Sequence, residues 1–338
     1  MLIAYAGRFA EDDVAVVLVT GATGFVGSAV VRVLQAQPGV QVRAGSRRGA
    51  DVAGAPGVRT DVLDPATLRL ALQDVDAIVH CAVGDARTTI AGTQGVLDAA
   101  AGAGVRRMVH LSSIAVYGAA TGRLDEAAPL IPAGRGTTYA EWKVLAEQAC
   151  AGSGVEVVRL RPTIIYGPGS ALWVEAVARR IRGGHWGTFG PAGAGTCNPV
   201  HVDDVARAAA AALDAPEAGG MAFNIDGGTP MAWNDWFSQV AAAMGASPLP
   251  ALPPGTLRRR SLASLPFKAA ARLLPPVRRM LGGMLLAAPA ASEVALFARA
   301  ATYPADRARA GLGWSPAVPL ADGLAGSAVW LRGMGLAS

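Results

Sequence analysis

The apolar run Val14–Val19 leads directly into Thr20-Gly21-Ala22-Thr23-Gly24-Phe25-Val26-Gly27. A buried strand that meets three glycines spaced three apart, and then a helix, forms a dinucleotide-binding turn. Gly21 lets the backbone leave the strand sharply, Gly24 lets the chain approach a pyrophosphate with no Cβ between, and Gly27 lets the helix pack close to the sheet. Phe25, Val26, Ala29, Val30, Val33 and Leu34 recur at helical spacing, and Pro38-Gly39 stops that helix. Its N-terminus offers unpaired N–H groups and a positive dipole end to phosphates. Gly21, Thr23, Gly24, Phe25, Val26 and Gly27 are therefore the first candidate binding residues. A glycine-rich turn with no ligand is the alternative.

Further strand-like runs follow at Val40–Ala44, Val58–Val62, Ala77–Ala82, Arg107–Ser112, Val155–Leu160 and Met221–Ile225, with helical stretches such as Ile90–Gly102 and Tyr139–Ala151 between them. Such alternation predicts an α/β fold: a Rossmann-type, doubly wound parallel sheet covered on both faces, with ligands at the carboxyl ends of the strands. The 338 residues suffice for one large domain or two smaller ones. Residues 170–199 and 229–338 are richer in Pro, Gly, Trp and Arg, and are expected to form a smaller substrate-binding lobe. Residues 1–169 and 200–228 would make the nucleotide-binding domain.

With 52% hydrophobic and 16% charged residues, the chain has the material for a large core. The net charge of +5 is basic, yet arginine is spread widely and no basic stripe interleaved with aromatics suggests nucleic acid. Cys81, Cys150 and Cys197 are scattered, without metal-ligand spacing, and read as reduced thiols of a cytoplasmic protein. Met1–Phe9 lacks the basic start of a secretory signal. No charge-free apolar run reaches the ~20 residues of a membrane span, and the best candidate, Met280–Ser292, is too short.

Tyr139 and Lys143 share a helix face at i, i+4. A lysine ammonium and a cationic nicotinamide ring beside the phenol would favour its ionised form and lower its pKa from ~10, so that the tyrosine passes a proton to or from a substrate oxygen. Alone, this spacing is common on exposed helices. Here the strand Arg107–Ser112 also delivers Ser112 and Ser113 to a carboxyl end, where a serine can hold the reacting oxygen. A third marker is Leu160-Arg161-Pro162-Thr163-Ile164-Ile165-Tyr166-Gly167-Pro168-Gly169.

Together with His201-Val202-Asp203-Asp204-Val205 and the late Leu312-Gly313-Trp314-Ser315-Pro316, these motifs resemble the extended short-chain dehydrogenase/reductase family, in its NAD-dependent epimerase/dehydratase branch. The resemblance implies catalytic roles for Ser113, Tyr139 and Lys143, with Ser112 structural. It also implies that Asp61 and Val62 hold adenine, that Cys81, Ala82 and Val83 run along the cofactor, and that the backbone after Pro162 meets the carboxamide. By the same analogy the protein is a homodimer. Asp203 and Asp204 are expected to cap a helix Val205–Leu213, and His80 and His201 to pack or hydrogen-bond near the site.

Departures from the family pattern narrow the chemistry. The second strand runs into Gly45-Ser46-Arg47-Arg48 in place of an acid. Guanidinium groups pair with a 2′-phosphate that a carboxylate would repel, so NADP is the expected cofactor, anchored by Arg47 and then Arg48, with NAD the alternative. Ile114 and Ala115 stand where sugar-nucleotide dehydratases resemble Asp-Glu, which argues against elimination. Thr89 replaces a frequent asparagine. The arginine that grips a diphosphate is missing from Gly195-Thr196-Cys197-Asn198, and Arg179, Arg180 or Arg182 are the candidate substitutes. Leu257–Leu286 carries Arg258, Arg259, Arg260, Lys268, Arg272, Arg278 and Arg279 without an acid; it reads as a lid, as an interfacial helix on anionic lipid, or as a solvated basic face. The expectation is hydride transfer at an alcohol or carbonyl carbon of a small molecule. A nucleotide sugar or related sugar leads. An NADPH-dependent reductase or dehydrogenase of an apolar hydroxy or keto compound, sterol- or flavonoid-like, is the alternative. A non-catalytic dinucleotide-binding subunit is a third reading.

Overall fold

A computed structural model describes residues 14–184, 186–246, 248–253, 255–267 and 289–338. Met1–Phe9, most of Met280–Ser292, and Lys268, Arg272, Arg278 and Arg279 lie outside the described residues.

The strands are β1 (Ala15–Thr20), β2 (Val40–Ser46), β3 (Gly57–Arg59), β4 (Ala77–His80), β5 (Arg107–Leu111), β6 (Gly122–Arg123), β7 (Glu156–Pro162), β8 (Ile164–Tyr166), β9 (Thr196–Cys197), β10 (Pro199–His201), β11 (Ala222–Ile225), β12 (Met231–Ala232) and β13 (Ala301–Thr302). Seven of them form one sheet in the order β11-β7-β5-β4-β1-β2-β3, parallel at every pairing. This is a Rossmann-type, doubly wound sheet. β4, β5 and β11 are buried along their whole length, which is why their sequences show no polar alternation, their polar members His80, Arg107, His110 and Asn224 being buried as well.

Helices α1 (Phe25–Gln35), α2 (Pro65–Ala71), α3 (Ala86–Ala103), α4 (Tyr139–Ala151), α5 (Ala176–Arg182), α6 (Val202–Asp214), α7 (Trp233–Ala243) and α8 (Thr256–Ala263) accompany the strands. α1 and α6 pack together on one face, and α2, α3 and α4 on the other. The alanine-rich sequence of α6 lets it pack closely beside α1 and onto β5 and β7, with Ala206 and Ala208–Ala212 all buried. α3 starts at Ala86, four residues before the expected Ile90, because the Asp85 carboxylate caps it by accepting from Thr88 N–H.

A second core gathers Trp186, Phe189, Trp233, Trp236, Phe237 and Phe297, with Val174 and Val177. It also takes Ile164 and Tyr166 from β8, the strand that pairs with β10. α6 begins at Val202, with His201 as its N-cap. Asp203 pairs with Arg32 of α1. The buried Asp204 carboxylate accepts from the Ala317 (2.7 Å) and Val318 (3.4 Å) N–H groups, and its carbonyl accepts from Trp314 Nε1 at 2.9 Å. The His-Val-Asp-Asp and Leu-Gly-Trp-Ser-Pro segments are thus two halves of one clasp, and neither aspartate is the cap expected of it.

Candidate active site

β1 is central in the sheet, and the strand order reverses between it and β4, where an open α/β sheet leaves its binding crevice. Gly21 stands there with φ +67°, and a Cβ on it would lie 2.8 Å from Ala82 Cα. A Cβ on Gly27 would meet Gly21 O at 2.2 Å. Any larger residue at either place drives α1 off the sheet. Gly24 is the N-cap of α1, with no side chain to satisfy the first N–H groups and no acid in the first turn. That end is open to an anion, which fits a pyrophosphate. Gly169 approaches Phe25 closely, so the exit from β7 and β8 returns to the glycine turn. Cys81 follows β4 and its N–H donates to Thr20 O; Val83 is exposed. Asp61 and Val62 follow β3, where the Asp61 carboxylate accepts from Leu63 N–H.

Arg47 and Arg48 are exposed just past the end of β2. The register pairs Ser46 with Arg59 of β3, and Arg59 is exposed against the Gly49 turn. Three arginines therefore share the carboxyl end of these two strands. Arg59 was not singled out from sequence, since it lies twelve positions from Arg47 and only the strand register joins them.

Ser113 begins the short 3-10 helix Ile114–Tyr117, its hydroxyl oxygen accepting from Ala115 N–H at 3.1 Å. That leaves its proton to donate, and the hydroxyl contacts the Tyr139 phenol. Tyr139 opens α4, which a capping box starts: Thr138 Oγ1 accepts from Glu141 N–H, and Glu141 Oε2 accepts from Thr138 N–H. The tyrosine is 44% exposed. Burial raises the phenol pKa and the Ser113 hydrogen bond opposes that rise. The expected lowering by Lys143 is not what the geometry gives. The ammonium Nζ lies 5.9 Å from the Tyr139 ring centroid and donates to Leu111 O at 2.6 Å. Burial lowers Lys143 itself to about 8, with Cys81 and Glu147 opposing.

Beneath these residues lies a buried polar chain that sequence reading missed. Glu147, one turn after Lys143, accepts from Ser112 Oγ at 2.5 Å and from Arg161 Nε and Nη2 at 2.9 and 2.6 Å. Arg161 Nη1 donates to the Tyr117 hydroxyl at 2.9 Å, and that hydroxyl donates to Asn224 Oδ1 at 2.8 Å. Ser112 is thus held in this chain, buried and bonded to Glu147. His80 lies in the sheet, joined to Thr20 Oγ1 at 2.7 Å and Thr93 Oγ1 at 3.1 Å and stacked on His110. Burial, aided by Lys143, lowers His80 to about 3.

Two candidate diphosphate arginines are committed elsewhere. Arg179 pairs with Glu175. Arg180 makes two hydrogen bonds to Glu293, at 2.8 and 3.1 Å, and stacks 4.6 Å from the Trp186 ring centroid. Arg182 is exposed at the end of α5. Among the described residues no group of three His, Cys, Asp or Glu is placed to hold a metal, and no helix is long and apolar enough to cross a membrane. The three cysteines are unpaired.

The model of the NAD dependent epimerase/dehydratase family matches residues 17–226. A 2-alkyl-3-oxoalkanoate reductase of Stenotrophomonas maltophilia is 31% identical over 252 residues, covering 68% of this chain and 76% of that protein. A 3-diazoavenalumate denitrifying reductase of a Streptomyces species is 31% identical, covering 90% of this chain and 96% of the relative. Among solved structures, MoeE5 in complex with UDP-glucuronic acid and NAD superposes with a TM-score of 0.70 at 26% identity, covering 94% of this chain and 99% of that one.

Proposed function

From the premise that the chain belongs to the NAD dependent epimerase/dehydratase family, and is an enzyme of the short-chain dehydrogenase/reductase type, we propose that it is an NADP(H)-dependent reductase or dehydrogenase of an apolar keto or hydroxy compound. The observation that carries this reading is the placing of Ser113 just past the carboxyl end of β5 and of Tyr139 and Lys143 on the first turns of α4, with burial raising the phenol pKa so that its protonated form is favoured. A ketone reduction needs that form.

In the reductive direction Tyr139 gives its proton to the substrate oxygen as negative charge develops there, while Ser113 donates a hydrogen bond to the same oxygen and fixes its position. Lys143 holds positive charge below the pair and is the ribose ligand. The nicotinamide, when bound, supplies the hydride to the carbonyl carbon. In the oxidative direction the ionised Tyr139 oxygen receives the proton, with the Ser113 hydrogen bond favouring that ionised form. Gly21, Thr23, Gly24, Phe25, Val26 and Gly27 would cradle the pyrophosphate, Asp61 and Val62 the adenine, and Cys81, Ala82, Val83 and Pro162 the nicotinamide half. Arg47, Arg48 and Arg59 are suited to a 2′-phosphate.

The substrate class rests on charge. A nucleotide sugar presents a diphosphate, and Arg179 and Arg180 already have carboxylate partners. The reductases among the relatives agree with this choice. A sugar-nucleotide epimerase that holds NAD through the cycle is the second reading, favoured by the likeness to MoeE5 with UDP-glucuronic acid and NAD. Mass spectrometry of small molecules released from freshly purified, denatured protein, followed by NADPH and NADH titrations, separates the two. An empty protein that binds NADPH far more tightly supports the reductase; retained NAD with no preference for the phosphate overturns it in favour of the epimerase.

A further inference from the structure

We propose that the exposed stripe Arg258, Leu262 and Leu265, flanked by Arg259 and Phe267, docks this protein on an anionic lipid surface. α8 has two unlike sides. Leu257, Ser261 and Ser264 recur at i, i+4, i+7 and are buried, Leu257 within the second core. One residue along, Arg258, Leu262 and Leu265 recur at the same interval and face outward. Leu262 is 58% exposed, Leu265 56% and Phe267 41%. A helix whose only task was to close the lobe would need the first side alone, and a solvated basic face would not carry two leucines and a phenylalanine into water.

Charge complementarity selects the occupant. The seven cations of Leu257–Leu286, with no acid among them, exceed the whole chain's net charge of +5, so all other residues together carry a net −2. The basic character of this protein is therefore local in sequence, and attraction to its exposed members Arg258 and Arg259 is screened beyond about 10 Å at ordinary salt. An acidic protein partner would satisfy the arginines and leave the leucines unexplained. A bilayer takes both: guanidinium groups pair with headgroup phosphates, and Leu262, Leu265 and Phe267 enter the boundary of the acyl chains. The surface is separate from the residues assigned to hydride transfer, so the inference stands or falls without the substrate reading.

The test is co-sedimentation of the full-length protein with phosphatidylglycerol–phosphatidylcholine vesicles and with pure phosphatidylcholine vesicles, at low and high salt, without cofactor or substrate. Binding is expected to the anionic vesicles only and to weaken as salt rises. Each arginine near the surface is worth about fivefold in binding, so Arg258→Glu with Arg259→Glu should weaken it by at least about tenfold. Leu262→Ser with Phe267→Ser should also weaken binding while leaving its salt dependence in place. All four positions are exposed or end a helix face, and an unchanged NADPH titration and circular dichroism spectrum would verify that the variants fold. The proposal is overturned by absence of binding at low salt, by equal binding to phosphatidylcholine alone, or by either double variant binding as the parent does.

Discussion

At the scale of single residues, Lys143 loses its charge within reach of neutral pH. Burial has brought it to about 8, against the pull of Glu147. If its ammonium supports Tyr139, kcat/KM for reduction should fall as pH rises through about 8, and Glu147→Gln should move that limb to lower pH by removing a charge that holds the proton on. A pH profile whose limb stays in place would separate Lys143 from the rate. Tyr139→Phe tests the acid directly. Turnover should fall about 10²- to 10⁴-fold with NADPH affinity kept, and undiminished turnover would refute the mechanism. His80 governs a different window. Its folded value of about 3 lies below the 6.5 of an unfolded histidine, so its stabilising share is whole above pH 6.5 and is lost as pH falls toward 3. By linkage, moving from pH 7 to 4.5 should cost about 2–3 kcal/mol from His80, and buried His110, lowered in the same direction, adds to this. Urea unfolding at the two pH values measures it, and equal free energies would show that both rings are hydrated.

At the scale of elements, α4 carries the site because its two sides are fixed by different means. The capping box sets where it begins, and the Glu147–Arg161 pair sets how it lies on β7. Removing one partner of a buried pair leaves the other uncompensated, so Arg161→Met should destabilise the fold by about 3–5 kcal/mol, whereas the double change Glu147→Leu with Arg161→Met should cost less. Chemical denaturation of the three proteins checks this, and a double variant as weak as the single would mean that the pair is net stabilising. The Tyr139–Lys143 spacing was legible in the sequence because both ends sit on one helix. Glu147 continues the same face, yet its partner comes from another element, and no local pattern announces it. The same reason hides the Arg180–Glu293 pair, whose members are 113 positions apart, and so left Arg180 looking available for a diphosphate. Six strands of the main sheet were legible as short, largely apolar runs between turn signals, whereas the edge strand β3, Gly57–Arg59, is at best half-buried and ends before the expected Val62. Their ends were less so: β2 continues to Ser46 and β7 to Pro162, where polar residues or a proline interrupt the pattern while the ladder continues.

At the scale of the molecule, the two cores meet at close contacts along the C-terminal helix. Gly323, in the C-terminal helix Leu320–Gly333, sits where a Cβ would lie 2.5 Å from the Tyr166 hydroxyl and 2.8 Å from His201 Cδ2. Tyr166 belongs to the second core, while His201 caps α6, which lies on the main sheet. A side chain larger than hydrogen at position 323 must therefore push on both. Gly323→Val should destabilise by about 1–3 kcal/mol through overpacking, and, if the cores are coupled, it should shift every probe together. In a Trp142→Phe, Trp314→Phe background the remaining tryptophans, among them Trp173, Trp186, Trp233 and Trp236, report on the second core, whereas far-ultraviolet circular dichroism is weighted to the helices of the main sheet. NADPH at about 100 times its Kd should stabilise the folded state by about 2.7 kcal/mol and raise the melting temperature seen by both probes equally. A tryptophan transition that stays put while the dichroism transition rises would mean that the lobes unfold separately. The contacts at Gly323 would then be too weak to carry cofactor binding at the sheet into order around the substrate.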